Sequence, residues 1–156
     1  MAETPAPRKN PRMQIRTLTA RTSTPALPLL EAQYREHHID MGGARLRRAL
    51  RLLLPRAGAL LLASDGAGAV GVAVLSYVVA LEHGGRVAWL EELYVVPQRR
   101  GEGIGRTLLL RAISSARKSG CNTVELEVVR GHQRATRLYL RESFHRLPRT
   151  RFSLAL

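Results

Sequence analysis

The chain has 156 residues, of which 45% are hydrophobic and 24% are charged, a length and composition typical of one globular domain. Its net charge of +13 comes almost entirely from arginine and favours a polyanionic partner. A single cysteine excludes an internal disulfide framework and any Cys-x-x-Cys metal site.

The longest apolar stretch, 69–81, is too short to cross a bilayer. Residues 1–12 contain three prolines and three basic residues but lack the apolar segment of a secretory signal. We therefore expect a cytoplasmic protein with a disordered leader at 1–12, a single domain at 13–156 and no membrane partner.

Hydrophobic periodicity and turn residues predict eleven elements in the order β, α, α, β, β, β, α, β, α, β, β. One helix lies between the fourth and fifth strands, so these two strands are expected to pair in parallel. The predicted strands are 13–18, 59–63, 69–80, 86–96, 123–129, 145–147 and 151–156, and the predicted helices are 25–38, 43–54, 104–119 and 134–142.

The most informative segment runs from Leu90 to Leu110, where an apolar strand enters a basic, glycine-rich turn that opens directly into a helix. Glycines let a backbone approach a ligand closely. The first turn of a helix offers N–H groups and the positive end of the helix dipole. The segment is therefore predicted to bind a phosphate or pyrophosphate group.

The spacing of the glycines separates three kinds of phosphate-binding loop. A Walker A loop requires a lysine after its last glycine, and none follows Gly105. The dinucleotide fingerprint Gly-x-Gly-x-x-Gly fails because Gly105 comes one residue too early. The third pattern, Gln-x-x-Gly-x-Gly, is met by Gln98, Gly101 and Gly103. A plain strand-to-helix turn is the alternative interpretation.

Gln-x-x-Gly-x-Gly resembles the coenzyme A loop of the GCN5-related N-acetyltransferases, the GNAT superfamily. Further along the chain, His132-x-x-Ala135-x-x-x-Tyr139-x-x-x-Ser143-Phe144 is similar to the family's Asn-x-x-Ala-x-x-x-Tyr-x-x-x-Gly-Phe. The resemblance covers about residues 86–145. It implies an α/β (α+β) fold with a mixed, mostly antiparallel central sheet of six to seven strands, flanked by about four helices.

Two positions depart from the family's pattern. His132 replaces an asparagine, which weakens the expected cofactor contact, although histidine can still donate and accept a hydrogen bond. Ser143 replaces a glycine and is expected to strain the turn that the glycine usually makes.

The resemblance implies transfer of an acetyl group from acetyl-CoA to a primary amine by direct attack in a ternary complex, with no metal. The backbone of Leu93, Tyr94 and Val95 would then hydrogen-bond the pantetheine arm, and N–H groups of the loop would hold the pyrophosphate. The remaining predicted cofactor-binding residues are Gln98, Arg99, Arg100, Gly101, Glu102, Gly103, Ile104, Gly105, Arg106 and His132.

An amine with a pKa near ~10 is mostly protonated at neutral pH and cannot attack a thioester until a base removes its proton. Glu91 and Glu92 lie on the strand that leads to the loop. Because adjacent strand residues point to opposite faces, only one of them is expected to serve the acceptor. The segment 89–95 resembles the diamine acetyltransferase branch, which favours Glu91. A surface carboxylate paired with an arginine is the alternative role of either.

Tyr139 matches the family's tyrosine, which implies a general acid for the departing thiolate; a core position beside Ala135 and Leu138 is its alternative role. Tyr34 and His37 are predicted to line the mouth of the acceptor site, because the first helices do so in the family. The acidic pair favours a cationic small-molecule or peptide acceptor, whose identity stays open. The resemblance is also compatible with a homodimer.

Two further functions stay open. A non-catalytic basic module could bind nucleic acid or another polyanion through a stripe of arginines, although the aromatic content of 4% offers little for base stacking and disfavours nucleic acid. An acyl-CoA sensor could use the same fold without turnover. The stripe consists of Arg130, Arg134, Arg137 and Arg141.

Overall fold

The computed structural model describes residues 13–156, so the predicted leader at 1–12 lies outside the described residues. This part of the chain divides into two compact units, one ending at Leu126 and the other formed by Glu127–Leu156. A single domain over 13–156 stays a prediction.

The first unit is built on a five-stranded sheet with the strand order β1-β2-β3-β4-β5. The first four strands pair antiparallel in sequence order, whereas β4 and β5 pair in parallel, as the intervening helix predicted. The strands are β1 (Gln14–Leu18), β2 (Gly58–Asp65), β3 (Gly68–Ala80), β4 (Gly85–Val95) and β5 (Cys121–Leu126).

Four α-helices accompany the sheet in the described part of the chain, and α4 belongs to the second unit. None of the helices in residues 13–156 combines the length and the apolar character that a membrane span requires. The helices are α1 (Leu27–Glu36), α2 (Gly43–Leu53), α3 (Ile104–Lys118) and α4 (Gln133–Arg141).

The sheet of the first unit is covered on both faces. Leu30 of α1 and Leu50 of α2 are buried in one cluster with Val72 of β3. The preceding residue, Gly71, points the other way, and a Cβ there would lie 2.9 Å from Leu108 of α3. Helices α1 and α2 therefore cover one face of the central strands, and α3 covers the other.

The prediction of six to seven strands is wrong, because the sheet has five. The two predicted strands at 145–147 and 151–156 are irregular in the structure. Phe152 and Leu154 alternate with polar residues, but they are 89% and 84% exposed. Alternation describes the side chains alone, whereas a strand also needs a neighbour that pairs with its backbone N–H and C=O groups.

The expected strain at Ser143 is confirmed. Its φ of 67° lies in the left-handed region, directly after α4. The backbone N–H of the next residue, Phe144, donates to the carbonyl of Tyr139 at 3.0 Å, which closes the helix end. A serine in this conformation crowds its own Cβ against the backbone, which a glycine would not do.

Replacing Ser143 with glycine should therefore raise the melting temperature. Relief of the left-handed strain outweighs the added freedom of glycine in the unfolded chain, and a net gain of about 0.5–1 kcal/mol corresponds to roughly 2–4 °C. Thermal unfolding followed by circular dichroism measures the shift. Ser143→Ala is the control, because it keeps the Cβ and should give no gain; an equal gain for both variants would contradict the explanation.

Candidate active site

The glycine-rich turn after β4 leads into α3 with a geometry suited to an anion. Gly101 and Gly103 have φ values of 95° and 82°, which glycine adopts without strain. Gly103 is the N-cap of α3, and no side chain caps this end of the helix within the described residues. Within residues 13–156, no side-chain cap therefore competes with an anion for the N–H groups of the first turn, which begins at Ile104.

The two arginines of this turn have their side chains engaged by carboxylates. The Arg99 guanidinium contacts Asp65, in a short ion pair, and Glu102, at 2.9–3.0 Å. The Arg100 guanidinium donates two hydrogen bonds to Glu36 of α1, at 2.8 and 2.9 Å. In this conformation an anion at the turn would therefore meet the backbone of these two residues rather than their side chains. Gln98 is exposed in the preceding turn.

The strand that precedes the loop extends beyond its parallel neighbour. Pairing between β4 and β5 ends at Leu90 opposite Leu126, although β4 continues to Val95. In the described register, the backbone of Leu93 to Val95 therefore has no β5 partner on that side. Leu93 and Val95 are half-buried, whereas the Tyr94 side chain is buried in the core. This edge has the backbone groups that an extended amide-containing ligand can pair with.

A β-bulge interrupts β4 where the two glutamates lie. Val74 of β3 is opposite Glu92, but the next residue of β3, Leu75, is opposite Leu90. Glu91 is thus the extra residue of the bulge, and the regular alternation of side chains breaks at this point.

The bulge corrects the expectation that the two carboxylates point to opposite faces. Glu92 is opposite Val74, which belongs to the core cluster beneath α1 and α2. Ser76 is two residues from Val74 and so lies on the same face, and its hydroxyl donates to Glu91 at 2.5 Å. Both carboxylates therefore reach the face that α1 covers, because an extra residue reverses the alternation after it.

Tyr34 of α1 lies against this carboxylate pair. Burial raises the pKa of Tyr34, and hydrogen bonding to Glu92 together with the charges of Glu92 and Glu91 raises it further. Burial also raises the pKa of the Glu92 carboxyl, and the charge of Glu91 adds to this effect, whereas the hydrogen bond from Tyr34 opposes it. The half-buried Tyr34 is thus a neutral hydroxyl beside two acidic groups, as expected for a residue lining a polar site.

Replacing Glu92 with glutamine should stabilise the protein at neutral pH. A carboxyl whose pKa is raised on folding favours the folded state below its usual value of 4.5 and opposes it as the pH rises through the folded value. Glutamine keeps the shape and the acceptor for Tyr34 without the charge. We expect a melting temperature higher by about 2 °C at pH 7–8.

The difference in melting temperature between Glu92→Gln and the wild type should shrink towards pH 4, where the wild-type carboxyl is protonated. Melting temperatures across pH 4–8 test this sign, and a gain at pH 4 that equals the gain at pH 8 would contradict it. Glu31→Gln, a matched substitution on α1, controls for a general effect of net charge.

Histidine 37, the other predicted acceptor-side residue, is the C-cap of α1, and its N–H donates to the carbonyl of Tyr34 at 3.1 Å. Tyr34 and His37 thus lie at the same end of the helix. Two residues that the sequence interpretation missed are Ser76 and Glu36. Neither lies in a motif, because Ser76 meets Glu91 only through the pairing of β3 with β4, and Glu36 meets Arg100 across 64 positions of sequence.

The predicted residues Tyr139 and His132 belong to the second unit. Tyr139 is half-buried on α4 and packs edge-on against Phe144, with the ring centroids 5.6 Å apart. His132 is the N-cap of α4 and is exposed. The arginine stripe is exposed at all four positions, consistent with a solvated face: Arg130, Arg134, Arg137 and Arg141.

A second cluster of titratable groups ties the β3–β4 hairpin to β5. The His83 ring contacts Glu125 at 2.8 Å and Glu82 at 3.9 Å, and Asn122 donates to the His83 carbonyl at 2.7 Å. These contacts hold the turn at the end of β4 that is remote from the glycine loop, and so brace the strand that carries the two glutamates.

Comparison with known families agrees with the geometry of the loop and strand. The model of the acetyltransferase (GNAT) family matches residues 21–144, which is most of the chain. The chain is a member of the GNAT family. The match extends well beyond the loop. It begins before α1 and includes helices α1 to α4 and strands β2 to β5 of this GNAT protein.

Relatives that are similar in sequence carry acetyltransferase names. Thialysine N-epsilon-acetyltransferase of Mus musculus is 36% identical over 76 residues, 49% of this chain and 44% of that protein. Aminoalkylphosphonate N-acetyltransferase of Salmonella typhimurium is 36% identical over 75 residues, 48% of this chain and 49% of that protein. This GNAT protein therefore matches less than half the length of each of these relatives.

Solved structures match over nearly the whole chain but at lower identity. An aminoglycoside N-acetyltransferase in complex with CoA has a TM-score of 0.81 at 18% identity, covering 96% of this chain and 98% of that one. A ribosomal-protein-alanine N-acetyltransferase from Brucella melitensis has a TM-score of 0.73 at 18% identity, covering 93% and 99%. At this identity the likeness is one of fold.

Proposed function

We propose that this GNAT protein transfers an acetyl group from acetyl-CoA to the primary amine of a cationic acceptor. The observation that carries the proposal is the bulge of β4, which brings Glu91 and Glu92 to one face, on the strand that leads through the glycine-rich turn to the start of α3 at Ile104. A proton acceptor and an anion site thus lie on one continuous segment.

The chain offers coenzyme A two kinds of backbone contact. The N–H groups from Gly101 to Gly105 fit the pyrophosphate, since both glycines with positive φ leave the backbone uncovered at the helix start. The unpaired edge of β4 from Leu93 to Val95 fits the amides of the pantetheine arm. Contacts of the cofactor with Gln98, Arg106 and His132 remain part of the proposal.

The reaction requires a neutral amine at the thioester carbonyl. Glu91 is exposed and takes one proton from the bound ammonium, directly or through a water, while Glu92 and Tyr34 form the polar wall behind it. The amine nitrogen then bonds to the carbonyl carbon, the carbon–sulfur bond breaks, and the nitrogen loses its second proton to solvent as the amide forms. The departing thiolate takes a proton, for which Tyr139 is the proposed donor.

The acceptor is proposed to be cationic because its site is acidic in a strongly basic chain. The net charge is +13, yet two carboxylates line the bulge and Tyr34 adds no positive charge. An acceptor with an ammonium group is attracted there, whereas a carboxylate-bearing one is repelled. The names of the two relatives mention thialysine and aminoalkylphosphonate. These two amines differ in charge, so the charge class of the acceptor has to be tested with a panel of amines.

The test is thermal unfolding with and without acetyl-CoA, followed by thiol release against a panel of amines. Ligand at about 100 times its Kd adds about 2.7 kcal/mol, which raises the melting temperature by roughly 5–10 °C. Polyamines, aminoglycosides, amino acids and peptides form the panel. We expect turnover with amines that carry a second positive charge.

Two outcomes would overturn the proposal in favour of another function. A thermal shift with no turnover on any amine, unchanged when both glutamates are replaced, would indicate an acyl-CoA sensor. No shift with acetyl-CoA, together with salt-sensitive binding to DNA that the arginine stripe controls, would indicate a basic binding module.

A further inference from the structure

Three side chains connect the acceptor-side helix α1 to the cofactor loop. The carboxylate of Glu36, the last residue of α1, accepts two hydrogen bonds from Arg100 at 2.8 and 2.9 Å. The same carboxylate accepts a hydrogen bond from the Tyr94 hydroxyl at 3.1 Å. We call Glu36, Tyr94 and Arg100 the clamp.

Two further contacts hold the Arg100 side chain in place. Its Nε donates to the carbonyl of Val95 at 2.8 Å, and its guanidinium carbon lies 5.3 Å from the centre of the Tyr94 ring. Nη2 alone contacts both Glu36 oxygens, while Nε donates to Val95 and the guanidinium lies over the Tyr94 ring. A lysine has a single nitrogen and no planar group, so it cannot make these contacts together. Arg100 thereby bridges the end of β4, the start of the loop and α1.

Tyr94 anchors the clamp to the core. Its side chain is 6% exposed and belongs to the hydrophobic cluster beneath α1 and α2. Burial raises the pKa of its hydroxyl, and the charge and hydrogen bond of Glu36 raise it further, so the hydroxyl stays a donor at neutral pH. The Tyr94 hydroxyl therefore holds the Glu36 carboxylate in place, and the buried ring sets the distance between this carboxylate and β4.

The same helix end carries the acceptor-side group. Tyr34 precedes Glu36 by two residues and contacts Glu92. The final turn of α1 thus has two attachments to β4 and its loop, one at the carboxylate pair through Tyr34 and one at the cofactor loop through Glu36. A shift of the loop at Arg100 must move this turn, or break two charge-assisted hydrogen bonds.

We infer that the clamp is a positioning device that couples the binding of acetyl-CoA to the arrangement of the acceptor site. Arg100 acts here on Glu36 rather than on a phosphate of the cofactor. When the cofactor occupies the loop, the clamp holds the last turn of α1, and with it Tyr34, against the carboxylate pair. The inference rests on the proposed function, because it assumes that both substrates bind beside β4.

Two variants separate this role from a direct contact between Arg100 and phosphate. Glu36→Gln removes the charge that orients Arg100, and Arg100→Lys keeps a positive charge but cannot contact Glu36, the Val95 carbonyl and the Tyr94 ring together. Coupling of binding sites is typically 5–150-fold in affinity. We expect each variant to raise the KM for the acceptor and the Kd for acetyl-CoA by about 5-fold or more, with kcat changed less than 3-fold.

A contact between Arg100 and phosphate predicts a different pattern. Glu36→Gln would then leave acetyl-CoA affinity unchanged or improve it, because the arginine would be released to the phosphate. Arg100→Lys would keep most of the affinity, since lysine binds phosphate as a point charge. Either result would overturn the clamp.

Calorimetry with an acetyl-CoA analogue that cannot transfer its acetyl group, repeated with a saturating concentration of the panel amine that turns over fastest, measures the coupling directly. The wild type should bind the analogue more tightly with this amine present, and Glu36→Gln should abolish most of that gain, while the midpoint of the pH–kcat profile stays in place. Glu31→Gln, also on α1, is the matched control and should behave as wild type. A wild type without acetyl transfer refutes the proposed function, whereas a normal wild type with an unaltered Glu36→Gln variant refutes the clamp alone.

Discussion

Replacement of Glu91 by glutamine is expected to lower kcat for acetyl transfer by about 10²–10⁴-fold at pH 7. A positioned base contributes a factor of this size when the attacking group must lose a proton. Glutamine preserves the size of the side chain and a hydrogen-bond acceptor for Ser76, which donates to Glu91 at 2.5 Å. The loss is therefore one of proton transfer rather than of packing.

The pH dependence of this loss separates a base from a structural carboxylate. Above about pH 9 a growing fraction of the acceptor amine is already neutral, so the variant should recover towards the wild-type rate. Steady-state kinetics from pH 6 to pH 10 measure the recovery. A loss that is constant over that range would indicate a structural defect, and a much greater loss with Glu92→Gln than with Glu91→Gln would assign the base to Glu92.

Replacement of Gly103 by aspartate is expected to weaken acetyl-CoA binding by about 50-fold or more. The φ of 82° is one that asparagine and aspartate tolerate better than other residues with a side chain, and a Cβ at this position meets no atom within 4 Å of the described residues. The change therefore adds a negative charge at the start of α3 without a clash. That charge competes with the pyrophosphate for the same N–H groups.

Gly103→Asn is the matched control, because it has the same shape and no charge. It should weaken acetyl-CoA binding only a few-fold. The difference in acetyl-CoA affinity between the two variants should decrease as the salt concentration rises. Calorimetry with acetyl-CoA at two salt concentrations gives both numbers. Since aspartate near a helix N-terminus does not destabilise the helix, its unliganded melting temperature should not fall below that of the asparagine variant. Equal affinities for the two variants would place the pyrophosphate elsewhere.

Much of the fold follows from local patterns. The helices predicted at 43–54 and 104–119 end at Leu53, before Pro55, and at Lys118, before Gly120. The turn at Asp65 forms with the N–H of Ala67 donating to the Asp65 carboxylate at 2.8 Å. The parallel pairing of β4 with β5 was predicted from a single intervening helix. These features depend on residues close together in sequence, or on general rules of chain connection.

The two strands predicted at 145–147 and 151–156 do not form, because a strand depends on a partner that the local pattern does not specify. Phe152 and Leu154 alternate as they would in a strand, yet a strand forms only where another backbone is available to pair with it. The alternating pattern specifies a face and says nothing about the partner. Glu91 shows the same limit, because the alternation of a regular strand predicted that Glu91 and Glu92 would point to opposite faces of β4, and the bulge places both on one face.

By itself, the sequence determined the glycine-rich turn at the start of α3, since the positive φ values of Gly101 and Gly103 and the helix that follows at once are local properties of this segment. Only the tertiary structure decided that Glu91 and Glu92 share a face and that Glu36 meets Arg100. A bulge is a property of how two strands are paired, and an ion pair across 64 residues is a property of how helix and sheet pack. Neither leaves a periodic signal in one segment, because the information lies in the relation between two segments that are distant in sequence.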